Sequence, residues 1–300
     1  TVADDELERK QQAAPFYTFK YGTFEIGTVR PETKFGDKYV VMHPGDKRYK
    51  NYKHGQKLIL EWINGPIEAT VIKDEAVDPQ FGTGVMTITP WHTAIDFGIA
   101  ERHGLDKEQI IGYDGELLAI AGEFAGMKID EARPKIVKKL KKKGLLVSVD
   151  EKYVNNVATN SRGGGVIEPQ IKEQWFISVN SKFEIRNSKL KGIKNGQKVT
   201  LKQLMQTVVK NGQIEILPER FERTYFHWID NLRDWCISRQ IWYGHRIPAY
   251  YCNRGNPKCD MVMVSVDEVK QCPNCGGQIE QDPDTLDTWF SFGLWTFSTL

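Results

Sequence analysis

FGTGVMTITPWHTAIDFGIAERHGL, residues 81–105, combines a strand pattern with a helix start, and this junction decides the fold around it. In GVMTIT a two-residue period predicts one face that carries the hydroxyls of Thr87 and Thr89 and an opposite apolar face. Proline then ends the strand, and Thr93 is a favourable N-cap for the helix that follows. The pattern therefore predicts a carboxylate, Asp96, in the first turn of a helix beside a threonine-bearing strand.

Asp96 has two interpretations that local chemistry leaves open. TAID, from Thr93 to Asp96, matches a capping box, in which an acidic residue completes the helix start and is stabilised by the helix dipole. The other interpretation is a binding or catalytic carboxylate. His92 and His103 are likewise either partly buried polar residues or acid/base groups.

The residues before this stretch predict further short strands without intervening helices. FYTFKYGTFEIGT indicates an aromatic hairpin, and KYVVMH, KLILEWI and EATVIKDEAV are separated by turn sequences. Such a series is typical of a β-barrel or a sandwich.

Composition indicates a folded chain of about two domains, because 300 residues with 40% hydrophobic content can bury a sizeable core. No run of about 18 apolar residues occurs, so neither a membrane span nor a secretory signal is expected, and a cytoplasmic location is predicted. Lysine and arginine number 41 against 39 acidic residues, so net charge alone does not call for a nucleic-acid partner.

GTVRPET, residues 27–33, places several hydrogen-bonding side chains around one proline. Arg30 could bind a phosphate or a carboxylate, and Thr28 and Thr33 could line a small-molecule pocket. Local pairing of Arg30 with Glu32 is the structural alternative.

Two later segments have helical spacing. IDEARPKIVKKLKKKGLL predicts a helix that ends near Gly144, and its lysines form either a solvated face or a phosphate contact. FHWIDNLRDWCISRQIWYG has aromatic residues and arginine at helical intervals, which suits either a core helix or a ligand pocket.

Four of the five cysteines fall close together. CPNCGG has the spacing of a zinc knuckle, whereas six residues separate the first pair. A structural Zn²⁺ site is therefore predicted, with reduced thiols as the alternative, at Cys252, Cys259, Cys272 and Cys275. No Walker-type loop, nucleophile elbow or HExxH pair is present, so no side-chain nucleophile is evident.

Five stretches carry a family resemblance: TVRPETKFGD, DPQFGTGVMTITPWHTAIDFGIAERHGL, GGVIEPQIKEQWFISV, FHWIDNLRDWCISRQIWYGHRIPAYYC and DPDTLDTWFSFGLWTFSTL. Together they resemble the valyl-tRNA synthetases, a family of class I aminoacyl-tRNA synthetases. The resemblance implies an α+β fold with a β-barrel editing domain and flanking helices at 1–165, a connecting segment at 166–214, and part of a Rossmann-like α/β catalytic domain at 215–300. A zinc-ribbon insertion is expected at 250–280.

The implied activity is hydrolysis of threonine wrongly attached to tRNA(Val), by a positioned water. In the family the aspartate matching Asp96 binds the α-ammonium of the amino acid, Phe81 lies near the terminal adenosine, and Arg30 lies near its phosphate or sugar. The resemblance gives as catalytic residues Asp96, Thr28, Thr33 and Thr89. It gives as substrate-binding residues Arg30, Glu32, Phe81, Thr87, His92, Tyr243 and Trp289.

The expected partners are the acceptor end of tRNA(Val), threonine or valine, and the remainder of a synthetase, with no membrane and a monomeric state. Neither the HIGH nor the KMSKS signature occurs, so the chain is expected to be a fragment, with ATP and Mg²⁺ used only by the full-length enzyme. The alternatives are a non-catalytic tRNA-binding module and the editing segment of an isoleucyl-tRNA synthetase.

Several positions depart from the family pattern. Bacterial members commonly have lysine where Thr87 stands and aspartate where Thr93 stands, so contacts in the expected pocket differ. Asn160 and Gly163 occupy positions that are often cysteines, which implies that a first zinc site is lost. Tyr243 stands where tryptophan is usual.

Overall fold

The computed structural model describes residues 7–161, 163–186, 188–252 and 259–299. Contacts divide the chain into two compact units, one that ends at Lys172 and one that begins at Glu173. The three-part division into 1–165, 166–214 and 215–300 stays a prediction.

The unit that ends at Lys172 is built mainly from short strands. The strands are β1 (Leu7–Ala13), β2 (Phe16–Tyr21), β3 (Phe24–Thr28), β4 (Tyr39–Met42), β5 (Lys57–Trp62), β6 (Gly65–Lys73), β7 (Val85–Thr87), β8 (Leu146–Asp150) and β9 (Val154–Asn160). The α-helices are α1 (Ala94–His103) and α2 (Ile129–Lys142), and 3₁₀ helices cover Pro31–Gly36, Lys47–Tyr49 and Ala119–Phe124.

Two open sheets in this unit share one core. The larger sheet has the order β5-β6-β4-β7, in which β4 and β6 run parallel and the other neighbours antiparallel. The smaller sheet is antiparallel with the order β3-β2-β8. Aromatic residues of the β2–β3 hairpin pack with residues of the larger sheet in a cluster that includes Phe19, Tyr21, Val40, Trp62 and Val71.

The expected closed barrel is absent from the described residues. Each sheet has two edge strands, and β3 lies beside β7 without a ladder of hydrogen bonds between them. Alternating apolar faces can be buried equally well by closing one sheet or by packing two sheets together, so the pattern could not separate these outcomes. The arrangement is closer to the sandwich alternative, and the mixed α and β content is as predicted.

A two-stranded ribbon lies at the start and end of these sheets. β1 pairs antiparallel with β9, from Leu7 opposite Asn160 to Ala13 opposite Val154. Every residue of β1 is exposed. β1, which leads into β2, therefore lies directly beside β9, which follows β8.

The strand–helix junction is confirmed, with a shorter strand than predicted. β7 ends at Thr87, which pairs with Val40 of the central strand β4. Thr93 caps α1 by accepting a hydrogen bond from the Asp96 N–H at 3.1 Å. Gly104 follows the helix with a φ of +61°, a conformation that glycine adopts without steric cost.

Helix α2 packs its apolar stripe against the same core. Ala132, Ile136 and Leu140 are buried, as the helical spacing predicts, and Gly144 follows the helix with a φ of +71°. On the opposite side, Lys139 pairs with Glu123. The choice between a solvated lysine face and a phosphate contact stays a prediction.

The unit that begins at Glu173 contains shorter strands. They are β10 (Phe176–Ile177), β11 (Lys182–Glu184), β12 (Lys198–Thr200), β13 (Trp235–Cys236), β14 (Ser238–Arg239), β15 (Ala249–Cys252), β16 (Val262–Val264), β17 (Ile279–Gln281) and β18 (Thr285–Leu286). The helices are α3 (Leu201–Lys210), α4 (Glu222–Asp230), α5 (Thr288–Gly293) and α6 (Trp295–Ser298), and a 3₁₀ helix covers Glu219–Phe221. All pairings among the described strands of this unit are antiparallel, so the parallel Rossmann sheet stays a prediction.

The helical period predicted for FHWIDNLRDWCISRQIWYG is wrong beyond Asp230. α4 ends there, and Trp235 and Cys236 instead form β13, which pairs with β10. Strand pairing with a distant segment outweighs local periodicity, which is a weak constraint on its own. None of the described helices is long and apolar enough to cross a membrane.

Candidate functional site

Asp96 is a buried carboxylate fixed by the strand–helix junction. Its side chain is only 5% exposed, and its Oδ2 accepts a hydrogen bond from the Thr89 N–H at 2.8 Å. Burial raises the pKa of this carboxyl, while the Thr89 N–H and the charge of Lys34 act in the opposite direction. Half of the predicted capping box is present: Thr93 accepts from the Asp96 N–H, whereas, among the described residues, the Asp96 carboxylate accepts from the Thr89 N–H and not from that of Thr93.

The threonines expected in the site are placed in two groups. Thr87, the last residue of β7, and Thr89, two residues later, are both buried, and the Thr89 N–H donates to Asp96. Thr28 and Thr33 belong to the neighbouring segment, where Thr28 Oγ1 accepts from the Arg30 N–H at 2.9 Å and Thr33 donates to the Arg30 carbonyl at 3.1 Å. No hydrogen bond joins Thr28 or Thr33 to Asp96 within the described part of the chain.

Lys34 is a residue of this site that the sequence analysis missed. It is buried, and its Nζ donates to Thr87 Oγ1 at 3.0 Å and lies 3.4 Å from Asp37 Oδ1. Lys34 thus places an ammonium beside Thr87 from a different element, the 3₁₀ helix Pro31–Gly36. The signal available in PETKFGD was the spacing of Lys34 and Asp37 by three positions, but the contact to Thr87 spans 53 positions.

Arg30 is held between two carboxylates. Its Nη2 donates to Glu168 Oε2 at 2.5 Å and its Nε to Glu32 Oε1 at 3.1 Å. Glu32 is fully buried, and Arg133 of α2 donates to both of its oxygens, at 2.9 and 3.0 Å. The local Arg30–Glu32 pairing thus exists within a larger network that also fixes the guanidinium of Arg30, which remains partly exposed.

His92 belongs to the same network and is completely buried. Its Nε2 lies 3.1 Å from the N–H of Ile110 and 3.3 Å from that of Ile111, and its Nδ1 lies 2.9 Å from Glu168 Oε1. Backbone N–H groups can only donate, so the ring proton is on Nδ1 and points to Glu168. Both ring nitrogens are engaged within the protein, which gives His92 the geometry of a residue that orients Glu168.

Phe81 is exposed on the loop before β7, and hydrogen bonds at Thr83 hold this loop in place. Tyr49 donates to the Thr83 carbonyl at 2.8 Å, and the Thr83 hydroxyl donates to the Glu25 carbonyl at 2.6 Å. The Phe81 ring is 62% exposed, so a planar ligand can reach it.

The two aromatic residues expected in the amino-acid pocket, Tyr243 and Trp289, are exposed. A separate pocket of about 410 Å³ in their unit is lined by residues that include Gly244, His245, Leu286, Thr288, Ser291 and Trp295. The Ser291 hydroxyl that lines it is buried with no hydrogen-bond partner in the described residues.

The four clustered cysteines converge. Their sulfurs all lie within 4.8 Å of one another, with Cys252 and Cys275 3.3 Å apart and Cys259 and Cys272 3.7 Å apart. Sulfur atoms around a tetrahedral zinc ion lie about 3.8 Å apart for Zn–S bonds near 2.3 Å. The donor set therefore fits Zn²⁺. NRGNPK, the widened spacer after Cys252, lies outside the described residues.

Comparison with known proteins identifies the family. The model of the family described as "tRNA synthetases class I (I, L, M and V)" matches residues 2–300. The chain belongs to the class I tRNA synthetases.

Among class I synthetases the chain is similar to enzymes named Valine--tRNA ligase. That of Clostridium tetani is 40% identical over 306 residues, which is 100% of this chain and 32% of the relative. Those of Symbiobacterium thermophilum (40% over 311 residues, 31% of the relative) and Thermotoga maritima (39% over 306 residues, 32% of the relative) also match 100% of this chain. The chain spans about a third of the length of these relatives, and the predicted resemblance to a valyl-tRNA synthetase segment is confirmed.

A solved ternary complex of a class I synthetase, a LeuRS–tRNA–LeuAMS complex of Agrobacterium radiobacter, also matches. It covers 98% of this chain and 32% of that chain, at 15% identity and a TM-score of 0.31.

Proposed function

We propose that the first unit of this valyl-tRNA synthetase segment hydrolyses the ester of threonine wrongly attached to tRNA(Val). The carrying observation is Asp96, a carboxylate fixed by the Thr89 N–H at a helix start and flanked by threonine hydroxyls. The relatives of this chain are named Valine--tRNA ligase. A pocket that accepts valine discriminates poorly against threonine, because the two amino acids are nearly isosteric. A second site that requires a hydroxyl removes the error.

Asp96 would bind the α-ammonium of the aminoacyl group. This leaves the ester carbonyl beside Thr87 and Thr89, where hydroxyls could hydrogen-bond the threonine side chain that a valyl group lacks. The attacking group would be a water molecule, positioned rather than activated by a side-chain nucleophile, since fixing the ester and the water together removes much of the entropic barrier. Thr28 and Thr33 complete the proposed catalytic residues.

The acceptor end of tRNA(Val) would lie across Arg30 and Phe81. Arg30 carries a fixed and partly exposed guanidinium suited to a phosphate or sugar, and the exposed ring of Phe81 suits stacking against an adenine. Glu32 and His92 are proposed to act through Arg30 and Glu168, while Thr87 contacts the substrate.

The second unit is proposed to hold a structural Zn²⁺ ion at the four cysteines, with each sulfur donating as a thiolate. Tyr243 and Trp289 are proposed to contact the amino acid only when the remainder of the synthetase completes the pocket. ATP and Mg²⁺ belong to that complete enzyme. We also propose a cytoplasmic, monomeric protein.

Deacylation of threonyl-tRNA(Val) by the full 300-residue chain tests the proposal. Wild type should release threonine at catalytic protein concentration, and Asp96→Ala should lower the rate by at least about a hundredfold, as expected for loss of a charged substrate contact. Asp130→Ala is the matched control, because Asp130 also lies in the first turn of a helix but is exposed.

Two results would contradict the proposal. One is equal hydrolysis by wild type and a folded Asp96→Ala chain. The other is binding of tRNA(Val) without turnover, which would favour a tRNA-binding module. Preference for misacylated tRNA(Ile) over tRNA(Val) would instead assign the segment to isoleucine editing.

A further inference from the structure

Lys34 brings a buried positive charge to the site, and the proposed hydrolysis leaves it without a role. Lys34 lies in the 3₁₀ helix Pro31–Gly36 and is 6% exposed, and its backbone carbonyl accepts a hydrogen bond from the Trp62 indole at 2.7 Å. An ammonium is costly to bury unless it is paired and hydrogen-bonded. Lys34 meets that cost through Thr87 and Asp37.

Thr87 and Thr89 connect Lys34 to Asp96. Lys34 Nζ donates to Thr87 Oγ1 at 3.0 Å, and two residues further along the chain the Thr89 N–H donates to Asp96 Oδ2 at 2.8 Å. The end of the 3₁₀ helix packs on the same segment, since a Cβ added to Gly36 would lie 3.8 Å from Thr89 Cγ2. The ammonium and the carboxylate therefore approach one short segment from different elements.

We propose that Lys34 is a positioning residue that keeps Asp96 in its ionised form, ready to bind a substrate ammonium. The inference rests on the proposed function for the identity of that ammonium, which is the amino group of an aminoacyl ester. Lys34 itself is fixed by Thr87 and does not contact the ester. It acts through the electrostatic field at Asp96.

The charges around Asp96 support this role. Burial raises the pKa of its carboxyl, and the Thr89 N–H and then the charge of Lys34 oppose that rise, with Thr93 and Thr89 adding neutral hydrogen bonds. Asp37 is the anion that faces the same space, and burial raises its pKa to about 7.

The pH at which the Asp96 carboxyl titrates tests the role of Lys34 directly and needs no substrate. Carboxyl ¹³C NMR of the full chain labelled at aspartate, assigned with Asp96→Asn, should give a higher titration midpoint for Asp96 in Lys34→Met than in wild type, as for loss of an opposite charge. Lys34→Arg should keep the midpoint close to wild type. Lys38→Met is the matched control, since Lys38 is half-exposed and pairs with Glu108.

A second variant removes the charge of Lys34 and keeps a hydrogen-bond donor. Lys34→Gln has an amide that can still donate to Thr87. It should raise the midpoint of Asp96 as Lys34→Met does, and it carries the test if Lys34→Met does not fold. An unchanged Asp96 midpoint in a folded Lys34→Met or Lys34→Gln chain would overturn the proposal.

The pH profile of deacylation adds a readout that a purely structural role would not move. The acidic limb for Lys34→Met should shift upward by the same amount as the NMR midpoint, whereas a distorted fold would lower the rate at every pH. The two proposals fail separately. A chain with no deacylase activity removes the proposed function and leaves the titration interpretable, and an active chain with an unshifted Asp96 removes only the role of Lys34.

Discussion

Two aspartates at opposite ends of α1 lie in contrasting environments. Asp96, in the first turn, is buried, and burial raises its pKa. Asp74 accepts from Arg102 and contacts His103 in the last turn, and the Arg102 guanidinium lowers its pKa well below the usual range. Asp74 is therefore a permanent anion that fixes the helix end. The charge of Asp96 depends on its neighbours, which suits a group that binds and releases a cation.

Glu168 contacts both Arg30 and His92. Glu168→Ala removes the carboxylate that joins Arg30 to His92, so the guanidinium of Arg30 loses its orientation. The kcat/KM for deacylation should fall about tenfold, mainly through a higher KM for tRNA, which corresponds to about 1.4 kcal/mol. Steady-state kinetics at several tRNA concentrations checks this.

Glu173→Ala is a suitable control for Glu168→Ala, because Glu173 is an exposed acidic residue a few positions further on. A change in kcat alone, with KM for tRNA unaltered, would contradict a role in positioning Arg30.

The sequence predicted contacts of site residues when the two partners lie within a few positions of each other in the chain. The capping of α1 by Thr93 and the Arg30–Glu32 pairing both follow from spacing of two or three residues. Glu168 and Lys34 were missed because their partners lie 138 and 53 positions away. Only the fold brings such pairs together, so no local pattern indicates them.

At the scale of elements, the junction between β7 and α1 sets the position of the proposed substrate ammonium. β7 is anchored by its pairing with β4, and α1 is anchored by Ile99, which is buried in a cluster with Val41 and Ile72. The residues between them include Thr89, whose N–H donates to the Asp96 carboxylate, and Thr93, whose hydroxyl accepts from the Asp96 N–H. A change at the N-cap should therefore alter both stability and activity.

Thr93→Ala tests this coupling. Loss of the side-chain acceptor for the Asp96 N–H should lower the free energy of unfolding by about 1 kcal/mol and reduce deacylation, because the first turn of α1 frays. Thr93→Asp should restore stability, since aspartate is an equally good N-cap. Urea unfolding of the three chains checks the order, and a Thr93→Ala chain as stable as wild type would contradict it.

Periodicity predicted elements well where one face packs on a core, and less well elsewhere. The buried stripe of α2 and the β2–β3 hairpin were predicted because apolar spacing dictates which face is covered. The number of sheets and the strand at Trp235 were not, because ladders between distant segments decide them.

At the scale of the whole molecule, the two units differ in the apolar clusters that they bury. The unit that ends at Lys172 buries a large continuous apolar cluster. In the unit that begins at Glu173, one described cluster consists of Cys252, Cys259 and Cys272, with Met261 and Ile279 packed against it. This cluster buries little apolar surface. We therefore expect binding of Zn²⁺ to add to the free energy of unfolding of this part of the chain.

Metal removal tests this difference. Purified chain should contain about one zinc ion, and Cys272→Ser should lose it, whereas Cys236→Ser, which changes the fifth cysteine outside the cluster, should keep it. Chelation should increase protease cleavage between residues 250 and 280 and leave the first unit intact. Zinc far below one ion per chain, with all four thiols reactive, would contradict the metal site.

The β1–β9 ribbon bears on how such a unit joins a larger protein. Because Ala13 lies opposite Val154, the two connections to the sheets are separated by one strand spacing, about 4.8 Å. The residues between Ala13 and Val154, about 140 of them, can therefore be inserted into a larger protein at a position where a hairpin turn would otherwise join two adjacent strands. Evolution can thus add, exchange or delete the whole unit while the host backbone keeps its course.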